Sequence, residues 1–211
     1  QSDPTPISAN LGTQVNVIDI YFNTPARKKF LRSSATEYGH CEEVFKRIAL
    51  SKPSVSFMLK HDGKEKWNLP KGERETRVNQ ILGQSFSSAK IPLAVKNSNA
   101  ILYGYISRPT TSNSNRQKQY FFLNNRFVRD RIVTHAINQA YRDVLHNSRH
   151  PMYVIYMEVP QQSVDVNVHP SKTEVRFSES NAVHEFLRKN IEKALSNVNS
   201  QEEVSNNAGL L

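Results

Sequence analysis

Length, composition and charge exclude several classes of protein. The chain has 211 residues, 37% of them hydrophobic, which is enough for one large core or two small ones. No window approaches the roughly 20 apolar residues of a membrane-spanning helix, and a single cysteine, Cys41, excludes an internal disulfide and a cysteine-built metal site. The net charge of +9 favours a polyanionic partner such as nucleic acid.

The start of the chain bears on where the protein works. No charged start precedes an apolar run, as it would in a secretory signal, so we expect a protein of the cytosol or the nucleus that is not secreted. The chain begins at Gln1 without a methionine and enters an extended segment almost at once. We therefore expect a piece of something longer.

The first part of the chain predicts one strand and one helix. Residues 14–22 are rich in Val and Ile and apolar on both faces, which is typical of a strand covered on both sides. Ser34 and Glu37 have the spacing of a capping box, which predicts a helix that stops before Pro53. Cys41 falls on the apolar face of that helix, and we expect a buried thiol. A basic cluster lies between strand and helix: Arg27, Lys28, Lys29 and Arg32.

The next part alternates strands and a helix. The dipeptide Asp62-Gly63 is a strong turn signal, which joins two strands into a hairpin. Gly83 is placed to close a short helix. The predicted elements are strands over residues 54–60, 65–69, 91–96 and 100–107 and a helix over residues 75–82.

A polar segment, residues 108–117, predicts a loop without regular structure. Beyond it, Asn124-Asn125 suits a tight turn with positive φ, and Asp130 is placed to cap a helix. The predicted elements are strands over residues 118–123, 127–128 and 152–159 and a helix from Asp130 to about residue 145.

Residues 164–177 read V-D-V-N-V-H-P-S-K-T-E-V-R-F and form the most informative motif. The alternating valines predict a half-buried strand that ends at the H-P dipeptide, and an extended pattern then resumes with Val175 and Phe177 on one side. Lys172 lies on the turn between the strands, where a short, stiff mount would aim its charge at an anion such as phosphate. The alternative for a single lysine is an ordinary solvated turn residue.

The last predicted element is a helix from Ser180 to about residue 195, and the polar residues from 197 onward predict a disordered tail. Together, the elements predict a mixed sheet of about eight strands with four helices.

The motifs of most enzymes are missing. The seven glycines form no phosphate-binding loop, the seven histidines form no metal-binding motif, and no serine lies in a nucleophile elbow. His169 has the chemistry of a general base, but a histidine before proline at a strand end is more often structural. The chain lacks the features of a complete enzyme.

Positive charge is concentrated between Arg108 and Arg131, where six basic residues face one acid, Asp130. Arginines can fork onto phosphates, and each neutralised phosphate releases counterions. We therefore expect a nucleic-acid surface whose candidate residues are Arg116, Lys118, Arg126, Arg129 and Arg131. At least one of the last three arginines is expected instead to pair with Asp130 or to cap a neighbouring acid.

Four stretches, in the same order and with similar gaps, resemble one family. They are G-T-Q-V-N-V-I-D-I-Y-F-N-T-P-A-R-K-K-F-L at residues 12–31, Y-F-F-L-N-N-R-F-V-R-D-R at 120–131, H-A-I-N-Q-A-Y at 135–141 and the motif at 164–177. Together they resemble the MutL family of DNA mismatch repair proteins. The resemblance implies an α+β fold like domain 2 of ribosomal protein S5, with one strand left over from a GHKL-type ATPase domain.

The resemblance also implies a domain organisation. Residues 1–22 would end the preceding GHKL ATPase domain, residues 23–196 would form the second, transducer domain, and residues 197–211 would be a disordered tail. The fragment alone would not hydrolyse ATP, because it lacks the family's Mg²⁺-binding and adenine-binding motifs. The full-length protein would be an ATPase.

Roles for individual residues follow from the same resemblance. In the family, the lysine of the H-P-x-K loop, here Lys172, reaches the γ-phosphate of ATP across the domain boundary. The threonine of the G-T motif, here Thr13, lies on the adenine side of the pocket. The family's basic DNA groove includes the arginine that ends R-D-R, here Arg131, and Arg126 and Arg129 belong to the same motif. ATP with Mg²⁺ would be bound mainly by the upstream domain, and the isolated fragment would bind no cofactor.

The implied mechanism is that of a transducer. ATP closes and dimerises the N-terminal domains, Lys172 reports the γ-phosphate, and the transducer domain presents a basic surface to DNA. The implied partners are DNA, a MutS-type mismatch recognition protein and another MutL-family subunit, with no membrane.

Two other interpretations stay open at this point. The second domain of a type II topoisomerase ATPase subunit also supplies a lysine to the γ-phosphate, although the N-T-P-A-R and H-P-S-K motifs together argue against it. A plain RNA-binding module of the ribosomal S5 type would have no ATPase domain upstream and would not need Lys172.

Overall fold

The computed structural model of the chain describes residues 11–114, 117–145, 149–165 and 174–208, with the backbone alone for residues 199–208. The chain divides into two compact units, Gln1–Cys41 and Glu42–Leu211. The domain boundaries predicted after residues 22 and 196 stay predictions. No helix in the described part of the chain is long and apolar enough to cross a membrane.

Residues 14–22 of the first unit do not form the predicted strand. Residues 13–19 have no regular structure, and a turn follows in which the Phe22 amide donates to the Asp19 carbonyl at 2.7 Å. A strand persists where its backbone N–H and C=O groups are paired with a neighbour, and the first strand among the described residues begins only at Phe57. Without a pairing partner, the apolar pattern alone does not hold this segment as a strand. A four-residue helix, α1, follows at Pro25–Lys28.

Helix α2 spans Ser34–Ser51, and its N-cap lies one residue earlier in the chain than predicted. Ser33, not Ser34, caps the helix, because its Oγ accepts from the Thr36 amide at 3.3 Å. Glu37 completes the cap by accepting from the Arg32 amide at 2.9 Å. The helix stops before Pro53, as predicted, but the Cys41 thiol is exposed and the prediction of a buried thiol is wrong.

A hairpin and two short helices follow in the second unit. Asp62 and Gly63 form the predicted turn with φ of 50° and 72°. Gly83 closes the next helix with its amide donating to the Asn79 carbonyl, also as predicted. The elements are β1, Phe57–His61, β2, Lys64–Leu69, α3, Arg74–Leu82, and α4, Gln84–Ser87.

Five strands form the main sheet. They are β3, Lys90–Lys96, β4, Ile101–Ser107, β5, Gln119–Leu123, β6, Arg126–Phe127, and β7, Tyr153–Glu158. Their spatial order is β3-β4-β7-β5-β6, and β5 and β7 are parallel whereas the other neighbouring pairs are antiparallel. The predicted α+β fold with a mixed sheet is therefore confirmed.

The last two helices end at residues other than those predicted. Helix α5, Arg131–Ala140, is capped as predicted by Asp130, whose carboxylate accepts from two amides, but it ends five residues early in a turn. Helix α6, Ser180–Ala208, continues past residue 195 through most of the segment predicted to be disordered. The sequence between Ser180 and Gly209 contains no glycine or proline that would break a helix.

Helices cover both faces of the main sheet. On one face, α5 and α6 pack on aliphatic strand residues such as Leu102, Ile106 and Ile155. On the other, α3, α4, the end of α2 and Leu69 of β2 pack on a more aromatic set that includes Phe122 and Tyr156. The main sheet, which carries the functional candidates, is therefore packed against a hydrophobic core on each of its two faces.

Gly104 shows how closely β4 and β7 approach. Its φ is +128°, and a Cβ atom placed on it would lie 2.2 Å from the Val154 carbonyl oxygen. An L side chain disfavours this backbone conformation and has no room at this distance. The centre of the sheet therefore requires glycine at this position.

Arg77 is a buried cation held by carbonyl oxygens. Its side chain is 1% exposed, and Nη1 donates to the Ala49 carbonyl at 2.9 Å while Nη2 lies within 2.9 Å of the Val55 and Pro70 carbonyls. These carbonyls end α2, precede β1 and follow β2. Arg77 thus ties together three chain segments whose backbone acceptors would otherwise lack this donor.

Candidate functional site

The segment that holds Lys172 joins two paired strands. They are β8, Val164–Asp165, and β9, Arg176–Phe177, which pair antiparallel. Val175 and Phe177 are both buried, as predicted for one side of this segment. Lys172 itself, with residues 166–173, lies outside the described residues, and its contact with a phosphate stays a prediction. Arg116 also lies outside them.

Thr13 lies in the exposed, irregular segment of the first unit. The apolar side chains that follow it are exposed as well, and Val15, Val17 and Ile18 are 77%, 70% and 81% exposed. Thr13 is thus exposed, and its contact with a nucleotide stays a prediction.

Arg126 stands on a turn that is fastened to the end of β7. Asn124 and Asn125 have the positive φ predicted for them, 49° and 65°. The Asn124 side-chain amide donates to the Val159 carbonyl at 3.1 Å, and its oxygen accepts from the Val159 amide at 3.0 Å. This pair of bonds holds the turn in one place and leaves the Arg126 side chain exposed.

Arg129 and Arg131 project from the segment between β6 and α5. The exposed arginines alternate with buried Val128 and half-buried Asp130, so both lie on the outward side as predicted. The Arg129 guanidinium carbon lies 5.8 Å from the centre of the Phe127 ring, which allows a cation–π contact. Arg131 is the first residue of α5.

The expected pairing of one of these arginines with Asp130 does not occur. Asp130 Oδ1 accepts from the Ile132 and Val133 amides at 2.8 and 3.0 Å. Among the described residues, no carboxylate forms an ion pair with Arg126, Arg129 or Arg131. A carboxylate that caps a helix has its favourable partners in the backbone, and the three guanidinium charges remain available to an anion.

Lys118 is held differently from the arginines. Its Nζ donates to the Leu82 carbonyl at 2.6 Å, at the C-terminal end of α3, where a cation is stabilised by the helix dipole. It precedes β5, whereas Arg126 pairs with Leu123 at the far end of that strand, about 17 Å away at the ordinary rise of a strand. Lys118 and Arg126 thus lie at opposite ends of β5.

Arg129 lies toward the same end of the sheet as Lys118. The Val128 amide donates to the Phe121 carbonyl, which continues the β5–β6 register back along β5. Burial raises the pKa of Tyr153 at this end of β7, and the charge of Arg129 partly opposes that rise. Arg129 therefore lies closer to the start of β5 than Arg126 does.

A pocket of about 480 Å³ near the N-terminal ends of α5 and α6 was not foreseen from the sequence. Its lining residues are Arg131, Ile132, His135, Ser180, Asn181 and His184. His135 Nδ1 and His184 Nε2 are 2.9 Å apart, although the two residues are 49 positions apart in the chain. No short motif links such residues, because only the packing of α5 on α6 brings them together.

Metal ligands are a separate question. In the part of the chain that the structure describes, no three His, Cys, Asp or Glu side chains are grouped so that they could hold a metal ion.

Comparison with known protein families decides the assignment of the chain. Residues 78–196 match the family described as DNA mismatch repair protein, C-terminal domain, which is more than half of the chain. The chain belongs to the MutL family of DNA mismatch repair proteins. The two alternatives, a topoisomerase domain and an isolated RNA-binding module, are not supported by this match.

Full-length MutL proteins are similar along nearly the whole chain. The MutL protein of Neisseria gonorrhoeae is 45% identical over 207 residues, which cover 97% of this chain and 32% of that protein. The MutL protein of Herminiimonas arsenicoxydans is 49% identical over 195 residues, which cover 92% of this chain and 32% of that protein. The chain therefore spans about a third of the length of these relatives.

Solved structures of DNA repair proteins have a similar fold. The Aquifex aeolicus MutL ATPase domain complexed with ADP is 28% identical, with a TM-score of 0.51, over 68% of this chain and 51% of that one. The N-terminal domain of a DNA repair protein is 19% identical with a TM-score of 0.66, over 83% of this chain and 58% of that one. The first likeness is to part of a MutL ATPase domain, and the second concerns the fold alone.

Proposed function

We propose that this chain is the transducer domain of a MutL-type DNA mismatch repair protein, which binds DNA through Arg126, Arg129 and Arg131 and completes an upstream ATP site through Lys172. The observation that carries the DNA-binding half is that the three arginines are exposed and have no carboxylate partner among the described residues. Their mount is rigid, because Asn124 is bonded to Val159 and Asp130 caps α5. Preorganised cations lose little conformational freedom when they bind phosphates.

Lys118 has a lesser part in this proposal. Its ammonium is already bonded to the end of α3, and moving it to a phosphate would break that bond. Arg126 and Arg131 are the better candidates for direct contact, and Lys118 adds to the field at its own end of β5. Arg116 is included in the proposal only because it lies in the basic part of the sequence between Arg108 and Arg131.

The ATP-binding half rests on the family resemblance and on relatives. A related Aquifex aeolicus domain was solved with ADP, which supports a nucleotide site shared with the region upstream of this chain. Of the residues expected at that site, Thr13 is exposed, and its hydroxyl would form a hydrogen bond to the nucleotide. Lys172 would supply one positive charge to the γ-phosphate, and β8 and β9 anchor the segment that carries it.

The remaining parts of the proposal concern the whole protein. The full-length protein would hydrolyse ATP with Mg²⁺, whereas this fragment alone would not. Its partners would be DNA, a MutS-type protein and a second MutL-family subunit brought in by ATP-driven dimerisation. The relatives are bacterial proteins, which favours the cytoplasm over the nucleus.

The DNA-binding half is tested by the salt dependence of oligonucleotide binding. Binding of the 211-residue chain to a labelled single strand is measured by fluorescence anisotropy for wild type, Arg126→Ala, Arg131→Ala and the control Lys60→Ala. Loss of one phosphate contact is expected to weaken binding and to reduce the slope of log K against log salt by about 0.7. Lys60 is exposed on β1 and should leave both unchanged. Equal affinities and slopes for all four proteins would remove the arginines from the interface.

The ATP-binding half is tested in the full-length protein. Steady-state ATP hydrolysis is compared for wild type, Lys172→Ala and Lys60→Ala. A loss with Lys172→Ala alone is the expected result, since a charge that contacts the γ-phosphate in the reacting state contributes to the rate. If hydrolysis is the same in all three, Lys172 does not complete the site.

A further inference from the structure

The pocket between α5 and α6 continues from Arg131 along one side of each helix. Arg131 and His135 are one turn apart on α5, as are Ser180 and His184 on α6, so their side chains face the same space. His135 is exposed and the His184 side chain is 18% exposed. Four polar side chains therefore converge on an opening that the solvent reaches.

The two imidazoles lie within hydrogen-bonding distance of each other. Their 2.9 Å contact joins Nδ1 of His135 to Nε2 of His184, and a hydrogen bond between ring nitrogens needs one donor and one acceptor. When both rings are protonated on both of their nitrogens, this bond is lost and two positive charges face each other. An anion placed beside the pair would offset that repulsion and accept from both rings.

The charges around the pocket also favour an anion. Glu185 lies 3.6 Å from His184 Nδ1, but Arg188 binds both its carboxylate and that of Glu192, and this bonding to Arg188 lowers the pKa of Glu185. Asp130 is used as the cap of α5. Glu185 can thus orient His184 while its charge is largely balanced by Arg188.

Among the residues that the structure describes, no acidic side chain lines the pocket. Glu179, just before α6, is exposed to solvent. The charged residues of the neighbouring strands do not line the pocket either; they are Lys90 and Lys96 of β3, Glu158 of β7, Asp165 of β8 and Arg176 of β9, together with Glu174 just before β9.

We propose that Arg131, His135, Ser180, Asn181 and His184 form a binding site for a phosphate group of nucleic acid, and that DNA binding at this site takes up a proton on the histidine pair. The inference rests on the proposed DNA-binding function and extends it from the β6–α5 segment to α6. Arg131 supplies the permanent charge, the histidines supply a charge that depends on pH, and Ser180 and Asn181 supply neutral donors.

The expected pH dependence follows from linkage. Because the bound phosphate favours the protonated pair, DNA affinity is expected to be higher at acidic pH and to fall as pH rises. We expect the 211-residue chain to bind a labelled thymidine oligonucleotide about threefold to tenfold more tightly at pH 6.0 than at pH 8.0, at fixed ionic strength.

The test compares that ratio between variants by fluorescence anisotropy. His135→Gln combined with His184→Gln should abolish most of this pH dependence, because glutamine gains no charge on acidification. The matched control, His40→Gln, replaces an exposed histidine on α2 and should retain the full ratio. If the double variant keeps the wild-type ratio, the proposal is overturned.

A second measurement on the wild type avoids any doubt about folding of the variants. Imidazole NMR resonances of His135 and His184 are followed during addition of the oligonucleotide and, separately, of inorganic phosphate at the same ionic strength. Shifts of both rings with the oligonucleotide at lower concentration than with inorganic phosphate support a nucleic-acid site. Equal responses would assign the pocket to free phosphate, and no shift with the oligonucleotide would overturn the site altogether.

The two proposals fail in different ways. If Arg131→Ala weakens DNA binding while the histidine variants and resonances do not respond, the DNA-binding function stands and the extension to α6 is wrong. If Arg126→Ala, Arg131→Ala and the histidine variants all leave binding unchanged, both are wrong.

Discussion

Strand β4 and residues 14–22 have similar compositions and different surroundings. β4 reads I-L-Y-G-Y-I-S and lies between two strands, and its Leu102 and Ile106 are fully buried. Residues 14–22 read Q-V-N-V-I-D-I-Y-F, have no strand beside them among the described residues, and expose Val17, Ile18 and Ile20. The difference teaches that apolar patterning gives a segment the capacity to be a strand, whereas a neighbouring strand makes it one.

The largest effect is expected where β4 meets β7. Gly104→Ala would put a Cβ atom 2.2 Å from the Val154 carbonyl oxygen at a φ of +128°. Overpacking and backbone strain each cost about 1–3 kcal/mol, so we expect a loss of about 4 kcal/mol or more in the free energy of unfolding. Urea unfolding followed by circular dichroism measures it.

The control for this change is Gly72→Ala. A Cβ at Gly72 meets no atom within 4 Å, and an exposed site of this kind should change stability by no more than about 0.5 kcal/mol. Equal unfolding midpoints for the two variants would show that β4 can move away from β7 without cost.

A graded truncation of β4 is expected to have the next largest effect. Ile106 is 0% exposed and packs in the core beneath α5 and α6. Ile106→Ala should cost about 3 kcal/mol and Ile106→Val about 1 kcal/mol, because each leaves a cavity in proportion to the atoms removed. The same urea experiment checks this order, and equal costs for the two would indicate that the core repacks around the gap.

Alkaline pH should weaken the sheet through Tyr103 of β4. Burial, followed by its hydrogen bond to Glu158, raises the pKa of Tyr103 to about 12 from an ordinary value of 10.0. Since the pKa is raised in the folded state, its stabilising effect is fully present below pH 10 and is lost as pH rises toward 12. Stability measured between pH 9 and 12 should fall less steeply for Tyr103→Phe than for wild type, and parallel curves would contradict this.

The sequence predicted well those features that depend on near neighbours in the chain. The Asp62-Gly63 turn, the Asp130 cap and the Asn124-Asn125 turn are each decided within a few residues, and all three were found where expected. The fold class followed from the succession of these elements. The MutL assignment followed from motifs, and the family match confirmed it.

The features that sequence reasoning missed depend on distant partners. Lys118 is bonded to Leu82, and His135 meets His184, through packing between separate elements. The cap of α2 moved to Ser33 because two adjacent serines offer the same chemistry and only backbone geometry selects one. The pairing expected between an arginine and Asp130 does not form for a local reason, because the Asp130 carboxylate accepts hydrogen bonds from backbone amides of α5 instead.

The smallest effect is expected in residues 14–22, where the comparison with β4 becomes sharpest. Val17 and Ile18 are 70% and 81% exposed, so Val17→Ser combined with Ile18→Ser should change the unfolding free energy of the 211-residue chain by less than about 0.5 kcal/mol. In the full-length protein, where we expect this segment to be a covered strand of the upstream ATPase domain, the same pair of substitutions would remove buried apolar surface and should cost about 2 kcal/mol or more. A near-zero change in both proteins would mean that these side chains stay exposed even there, and a large change in the 211-residue chain would mean that they are already packed in solution. Only a small cost in the fragment with a large one in the full-length protein fits a strand whose partner lies outside this chain.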